Sequence, residues 1–130
     1  MEESIKRWIM KAESDLKVAM DELMTEKPAN DMVCFHCQQA VEKYLKAFLV
    51  KNNMEFRKTH DISQFIELCL GIDKSFNELL DKNVDSLTIY AAEIRYPDGF
   101  YIPSDEETED AIRKAKYVKE FVMRKLESER

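Results

Sequence analysis

Apolar positions recur at three- and four-residue steps through most of the chain. Ile5, Trp8, Ile9, Ala12, Leu16, Ala19, Met20 and Leu23 fall on one face of a first segment whose other face holds Lys6, Glu13, Lys17 and Asp21. That is the pattern of an amphipathic helix. Pro28 ends the stretch, because proline cannot continue a helix, and Asn30 or Asp31 is placed to cap the next one. A second helix is expected over about 31–52. At ~100° per residue, its Cys34, Cys37, Ala40, Val41, Tyr44, Leu45, Phe48 and Leu49 spread over roughly half the circumference, wider than a surface helix requires. This helix should be central. Gln38 falls inside the apolar arc and Glu42 at its edge, so both need hydrogen-bond partners once the arc is buried.

In "THDISQFIELCLG", Thr59 or Asp61 can supply a cap, Ile62, Phe65, Ile66 and Cys69 an apolar stripe, and Gly71 a stop. A short segment at about 75–80 follows, whose Phe76, Leu79 and Leu80 read as a cover over the core rather than part of it. A fourth helix is expected over about 84–96 on Val84, Leu87, Ala91 and Ile94, with Pro97 fixing its end. Ser104 and Glu107 have the spacing of a capping box, and Ala111, Ala115, Val118, Val122 and Leu126 line one face of a long final helix. The elements predict an all-α, antiparallel up-and-down bundle of about five helices, in one domain over 1–130.

Composition agrees. Two glycines and three prolines leave few places to turn, which favours a few long helices over many strands. A net charge of −6, with the cations spread along the chain, excludes a duplex binder that relies on a general positive field but leaves room for a local basic patch. The three cysteines and the charged N-terminal stretch "MEESIKRWIMKAESDLK" predict a reduced, cytoplasmic protein. No apolar run approaches the ~20 residues that span a bilayer, so no membrane partner is expected.

The chemistry-bearing residues are few. "CFHC", Cys34 to Cys37, offers three ligand types in four residues, but both thiols point into the apolar arc and no paired motif completes a tetrahedral site. Core packing is the expectation, with no metal and no cofactor. His36 lies on the polar side of the second helix and reads as solvated, and His60 precedes a helix-capping aspartate, where local hydrogen bonding suffices to explain it. The run "IRYPDGFY" stands apart, because Arg95 is followed by Tyr96, Pro97, Asp98, Gly99, Phe100 and Tyr101. A cation near a helix C-terminus interacts with the unpaired carbonyls there. A guanidinium beside three aromatics also suits phosphate capture and base stacking.

Four blocks in order, "CFHCQQAVEKYLKAFLV", "THDI", "YAAEIRYPDGFY" and "ETEDAIRKAKYVKEFV", with Trp8, Ala12, Asp15 and Leu16 of the first helix, resemble the HEPN domain (higher eukaryotes and prokaryotes nucleotide-binding) over almost the whole chain. The resemblance implies a helical bundle that often forms homodimers. It also implies a small prokaryotic member of the kind encoded with a minimal nucleotidyltransferase as a toxin–antitoxin pair, with nucleotide or RNA as ligand.

Many HEPN domains are metal-independent ribonucleases whose motif is an arginine followed four to six residues later by a histidine. Arg95 matches the arginine, whereas Tyr101 stands where the histidine would be. An arginine-then-tyrosine form occurs in members paired with nucleotidyltransferases. Tyrosine, with an unperturbed pKa near 10, is a poor general base at neutral pH, so this reading leans away from catalysis and toward a binding component. Arg95 and Tyr101 remain the catalytic candidates, and Arg95, Tyr96, Asp98, Phe100, Tyr101 and His60 the ligand-binding ones. The alternatives are a weak endoribonuclease and a non-catalytic protein-interaction scaffold.

Overall fold

The computed structural model describes residues 1–92 and 100–128, and every described regular element is helical. Helices α1 (Glu3–Leu23), α2 (Asn30–Lys51), α3 (Ile62–Ile72) and α6 (Asp105–Glu127) are joined through two five-residue helices, α4 (Asn77–Asp81) and α5 (Thr88–Ala92), each preceded by a turn of 3-10 helix. The all-helical bundle is the class expected from the periodicity.

The second helix is central, as its broad apolar arc requires. Cys34, Cys37, Ala40, Val41, Tyr44, Leu45 and Leu49 are all fully buried. Residue pairs along the bundle fix the directions. Trp8 lies beside Lys46, and Asp15 beside His36 and Lys43, so α1 and α2 are antiparallel. Asn30 meets Asp105, Cys34 meets Thr108 and Lys51 meets Leu126, so α6 runs alongside α2 in the same sense. The chain returns to the starting end by way of the 52–61 loop and α5.

Local sequence explains where the helices begin and stop. Ser104 and Glu107 form the expected capping box at the start of α6, with the first turn acidic and Arg124 and Lys125 in the last. Asp61 caps α3 through the Ser63 N–H. At the head of α2, Ala29 occupies the N-cap without a side-chain bond, and Asn30 instead donates to the Pro103 carbonyl at 3.1 Å and to Asp105 at 2.9 Å. Asn30 therefore ties two helix starts together rather than capping its own. Gly71 lies inside the last turn of α3, and Asp73 ends the helix one residue after Ile72.

Phe76 is the main departure from the sequence expectation. The segment around it is not a cover, because Phe76 and Leu79 are fully buried, with Phe76 4.5 Å from Phe48 and 5.0 Å from Phe121 between ring centroids. A 3-10 turn capped by Asp73 swings the ring inward between α2 and α6. Periodicity over five or six residues is too short to distinguish a rim residue from a plug.

Candidate functional site

The polar residues at the edge of the α2 arc find their partners on the following loop. Glu42 is only 2% exposed, and its carboxylate accepts from Gln38, stands 2.8 Å from Nδ1 of His60 and lies 3.4 Å from Nζ of Lys46. Gln39 reaches the same carboxylate at 3.5 Å and donates to Gln38 at 2.7 Å. Lys46 is itself held over the rings of Trp8, Phe56 and Phe65, at 5.1, 5.6 and 5.4 Å from their centroids. A buried carboxylate is tolerable only with this degree of satisfaction.

His60 is not occupied with local hydrogen bonding, as its position before Asp61 suggested. Its ring reaches 18 residues back along the chain to Glu42, yet its side chain is 56% exposed. The N–H of Ile62 donates to Oγ1 of Thr88 at 3.0 Å, which pins the loop that carries His60 against the start of α5. His36 also departs from expectation. It is half-buried, with Nδ1 2.8 Å from Asp15, and Asp15 in turn accepts from Lys43 at 2.5 Å. That cluster ties α1 to α2 on the side of the bundle away from the apolar arc.

Four residues toward the N-terminus from Gln38, the same stripe of α2 carries Cys34, ~6 Å along the axis at 1.5 Å per residue. Its sulfur lies 3.7 Å from Oγ1 of Thr108, and its thiol is pushed up to about 11, mainly by burial. Tyr90 of α5 shares this position, and burial pushes its hydroxyl above the usual range, with Cys34 and Glu107 nearby adding to the effect. Tyr101 donates to the Glu107 carboxylate, which is held below its ordinary range first by the Ser104 N–H and then by that hydroxyl. A phenol already donating to an ionised carboxylate keeps its proton rather than accepting another. Phe100 beside it is 70% exposed.

The described part of the sequence-predicted site therefore gathers along one side of α2, with Tyr101 at its N-terminal end and His60 about two turns further on. Arg95, Tyr96 and Asp98 lie outside the described residues. Sequence reasoning flagged Gln38 and Glu42 only as polar residues needing partners, and it passed over Arg57. This arginine lines an open cleft of about 580 Å³ whose wall also holds the carboxylates of Glu55 and Glu67 and the rings of Phe56 and Phe65. The spacing of Gln38 and Glu42 inside an apolar arc was the available signal; an exposed arginine in a loop offers none. Cys34, Cys37 and Cys69 are free thiols buried within the core cluster.

These features define a class: an all-helical domain whose central helix carries a polar seam, with a carboxylate-held histidine at one point and a tyrosine-bearing loop at another. The chain belongs to the HEPN domain family, whose model matches residues 5–126. Among solved structures it is similar to an archaeal HEPN homologue, with 24% identity, 96% of this chain and 98% of that one covered, and a TM-score of 0.72. It is also similar to a protein from Thermus thermophilus, with 23% identity, 95% and 99% covered, and a TM-score of 0.76. At such identities the likeness is one of fold. No curated protein matches the chain. No described helix is long and apolar enough to cross a membrane.

Proposed function

We propose that this HEPN protein is a nucleotide- or RNA-binding component that engages phosphate through Arg95 and the aromatic segment ending at Tyr101. In this reading it works as a homodimer, with the segment doubled by two-fold symmetry and a minimal nucleotidyltransferase as partner. The observation that carries the reading is the arrangement beside α2. Tyr101 is tied down by Glu107, while Phe100 next to it is left open. A fixed polar ring beside an exposed apolar one suits stacking against a base while a neighbouring cation meets the phosphate. Tyr101 serves here as a positioned contact and not as a base.

The test is titration with nucleoside mono- and triphosphates and short single-stranded RNA, comparing the wild type with Arg95→Ala. Loss of a charge-assisted contact of ~1.5–3 kcal/mol should weaken binding about 10- to 100-fold and flatten its salt dependence. Superimposable curves would remove the segment from the function. Light scattering checks the oligomeric state, and a monomer at micromolar concentration contradicts the two-fold arrangement.

A further inference from the structure

We propose that the cleft between the loop after α2 and the outer face of α3 is a separate binding site, for a zwitterionic ligand of the α-amino acid class with an apolar side chain. It goes beyond the phosphate reading and uses none of the residues on which that reading rests.

The first observation is the charge in the walls. Glu55 and Arg57 come from the loop, while Gln64, Glu67 and Leu68, three and four residues apart, come from one face of α3. Glu55, Arg57 and Glu67 are exposed, and none of them has a hydrogen-bond or ion-pair partner among the described residues. An exposed ion pair contributes so little that one solitary charge on a surface needs no explanation. Here two carboxylates and a guanidinium line the same cleft and still leave each other unpaired. Two negative groups against one positive disfavour a phosphate at Arg57. A ligand that brings both signs satisfies all three: its ammonium donates to Glu55 and Glu67, and its carboxylate accepts from the Arg57 fork.

The second observation is the floor. Phe56 and Leu68 are half-buried over the fully buried Phe65, so the bottom of the cleft is apolar and open from above. The Phe56 ring is held in place by edge contacts to Trp8 at 6.3 Å and Phe65 at 5.9 Å, with Nζ of Lys46 5.6 Å from its centroid. A floor fixed before the ligand arrives removes part of the ordering cost of binding. The volume of about 580 Å³ is in the range of small-molecule sites. In an α-amino acid one carbon carries both charged groups and the side chain, so the charges meet the walls while the side chain lies on the rings.

The cleft is well apart from the aromatic segment. Phe56 stands beside Lys46, whereas Thr108, next to the Glu107 that holds Tyr101, meets Cys34. Cys34 and Lys46 are twelve residues apart on α2, ~18 Å along the axis at 1.5 Å per residue.

The test is an NMR titration of the full, isotope-labelled chain with L-phenylalanine into the millimolar range. Amides of residues 55–59 and 64–68 are expected to shift together and saturate. 3-Phenylpropanoate lacks the ammonium and phenethylamine the carboxylate, and each should bind about fivefold more weakly, as the loss of one exposed charge contact allows. Arg57→Gln should weaken phenylalanine by about the same factor without weakening phenethylamine. The double variant Glu55→Gln with Glu67→Gln should do so without weakening 3-phenylpropanoate. All three side chains are exposed, so these variants should fold. Phenylalanine that shifts none of these amides overturns the assignment. So does N-acetyl-phenylalanine amide, which carries neither charge, binding as well as the zwitterion, the mark of an apolar groove for protein segments. AMP should leave the same amides unmoved, and an AMP-driven shift there also overturns the proposal. Nucleotide binding measured with Arg95→Ala is a separate experiment, so either reading can fail without the other.

Discussion

Glu42 is the residue on which fold and site meet, and replacing it with leucine separates what the carboxylate does for each. In Glu42→Leu, the fully buried Gln38 loses its nearer acceptor and keeps only the His60 carbonyl at 3.4 Å, and the Lys46 ammonium loses its counter-charge. A buried amide donor left with only a long bond costs at most the ~1–3 kcal/mol of an orphaned one, and breaking one side of a buried ion pair ~3–5 kcal/mol. The second figure is an upper bound here, because the Lys46 side chain retains 17% exposure and stays over three aromatic rings. The net expectation is ~3 kcal/mol, a large share of the ~5–15 kcal/mol typical of a folded domain. Urea unfolding followed by circular dichroism measures it. Lys46→Met introduced into Glu42→Leu should then recover ~1 kcal/mol or more, since an apolar pair often replaces a buried ion pair without loss. If Glu42→Leu unfolds within 1 kcal/mol of the wild type, or if Lys46→Met costs as much in that background as alone, the account of the seam is wrong.

Two further outcomes follow from the packing. The Tyr44 hydroxyl is buried with no hydrogen-bond partner among the described residues, so Tyr44→Phe should raise stability by ~1 kcal/mol in the same urea assay, and a loss of that size would show that the hydroxyl is satisfied. Lys125, with Ser75, holds the Asp73 carboxyl down to about 2. A carboxyl depressed in the folded state contributes stability that is complete above its unfolded value near 4 and is lost as pH falls toward 2. Partial exposure screens that contribution to ~1 kcal/mol. The stability difference between wild type and Lys125→Met should therefore be present at pH 6 and vanish near pH 2, and a difference independent of pH contradicts the pairing.

How much of this was legible in the sequence depended on whether the determining interactions were local. The first two helices and the last are written in periodicities longer than 20 residues and in caps such as Ser104–Glu107, and they lie where expected to within a residue or two. The cap of α2 misled because asparagine serves equally well as a cap or as a strut, and Pro103 and Asp105 decided between them from more than 70 residues away. His36 misled for the same reason. A helical wheel shows only the helix that carries a residue, and Asp15 on α1 turned a solvated position into a half-buried ion pair.

The site shows the same limit from the other direction. Arg95 stood out because its neighbours in sequence are unusual, whereas His60, though among the ligand-binding candidates, was given a local explanation by the aspartate beside it. The bond that distinguishes His60 runs from the loop before α3 to the middle of α2, and nothing in the "THDI" block names its partner. Yet the sequence contained half of that answer. Glu42, at the edge of an apolar arc, had to be paired or carry a large desolvation penalty. A polar residue that a fold must bury thus points to tertiary contacts that local sequence does not show, because burial obliges it to recruit partners. Here one of those partners, His60, reaches Glu42 through Nδ1 at 2.8 Å while its side chain stays more than half exposed.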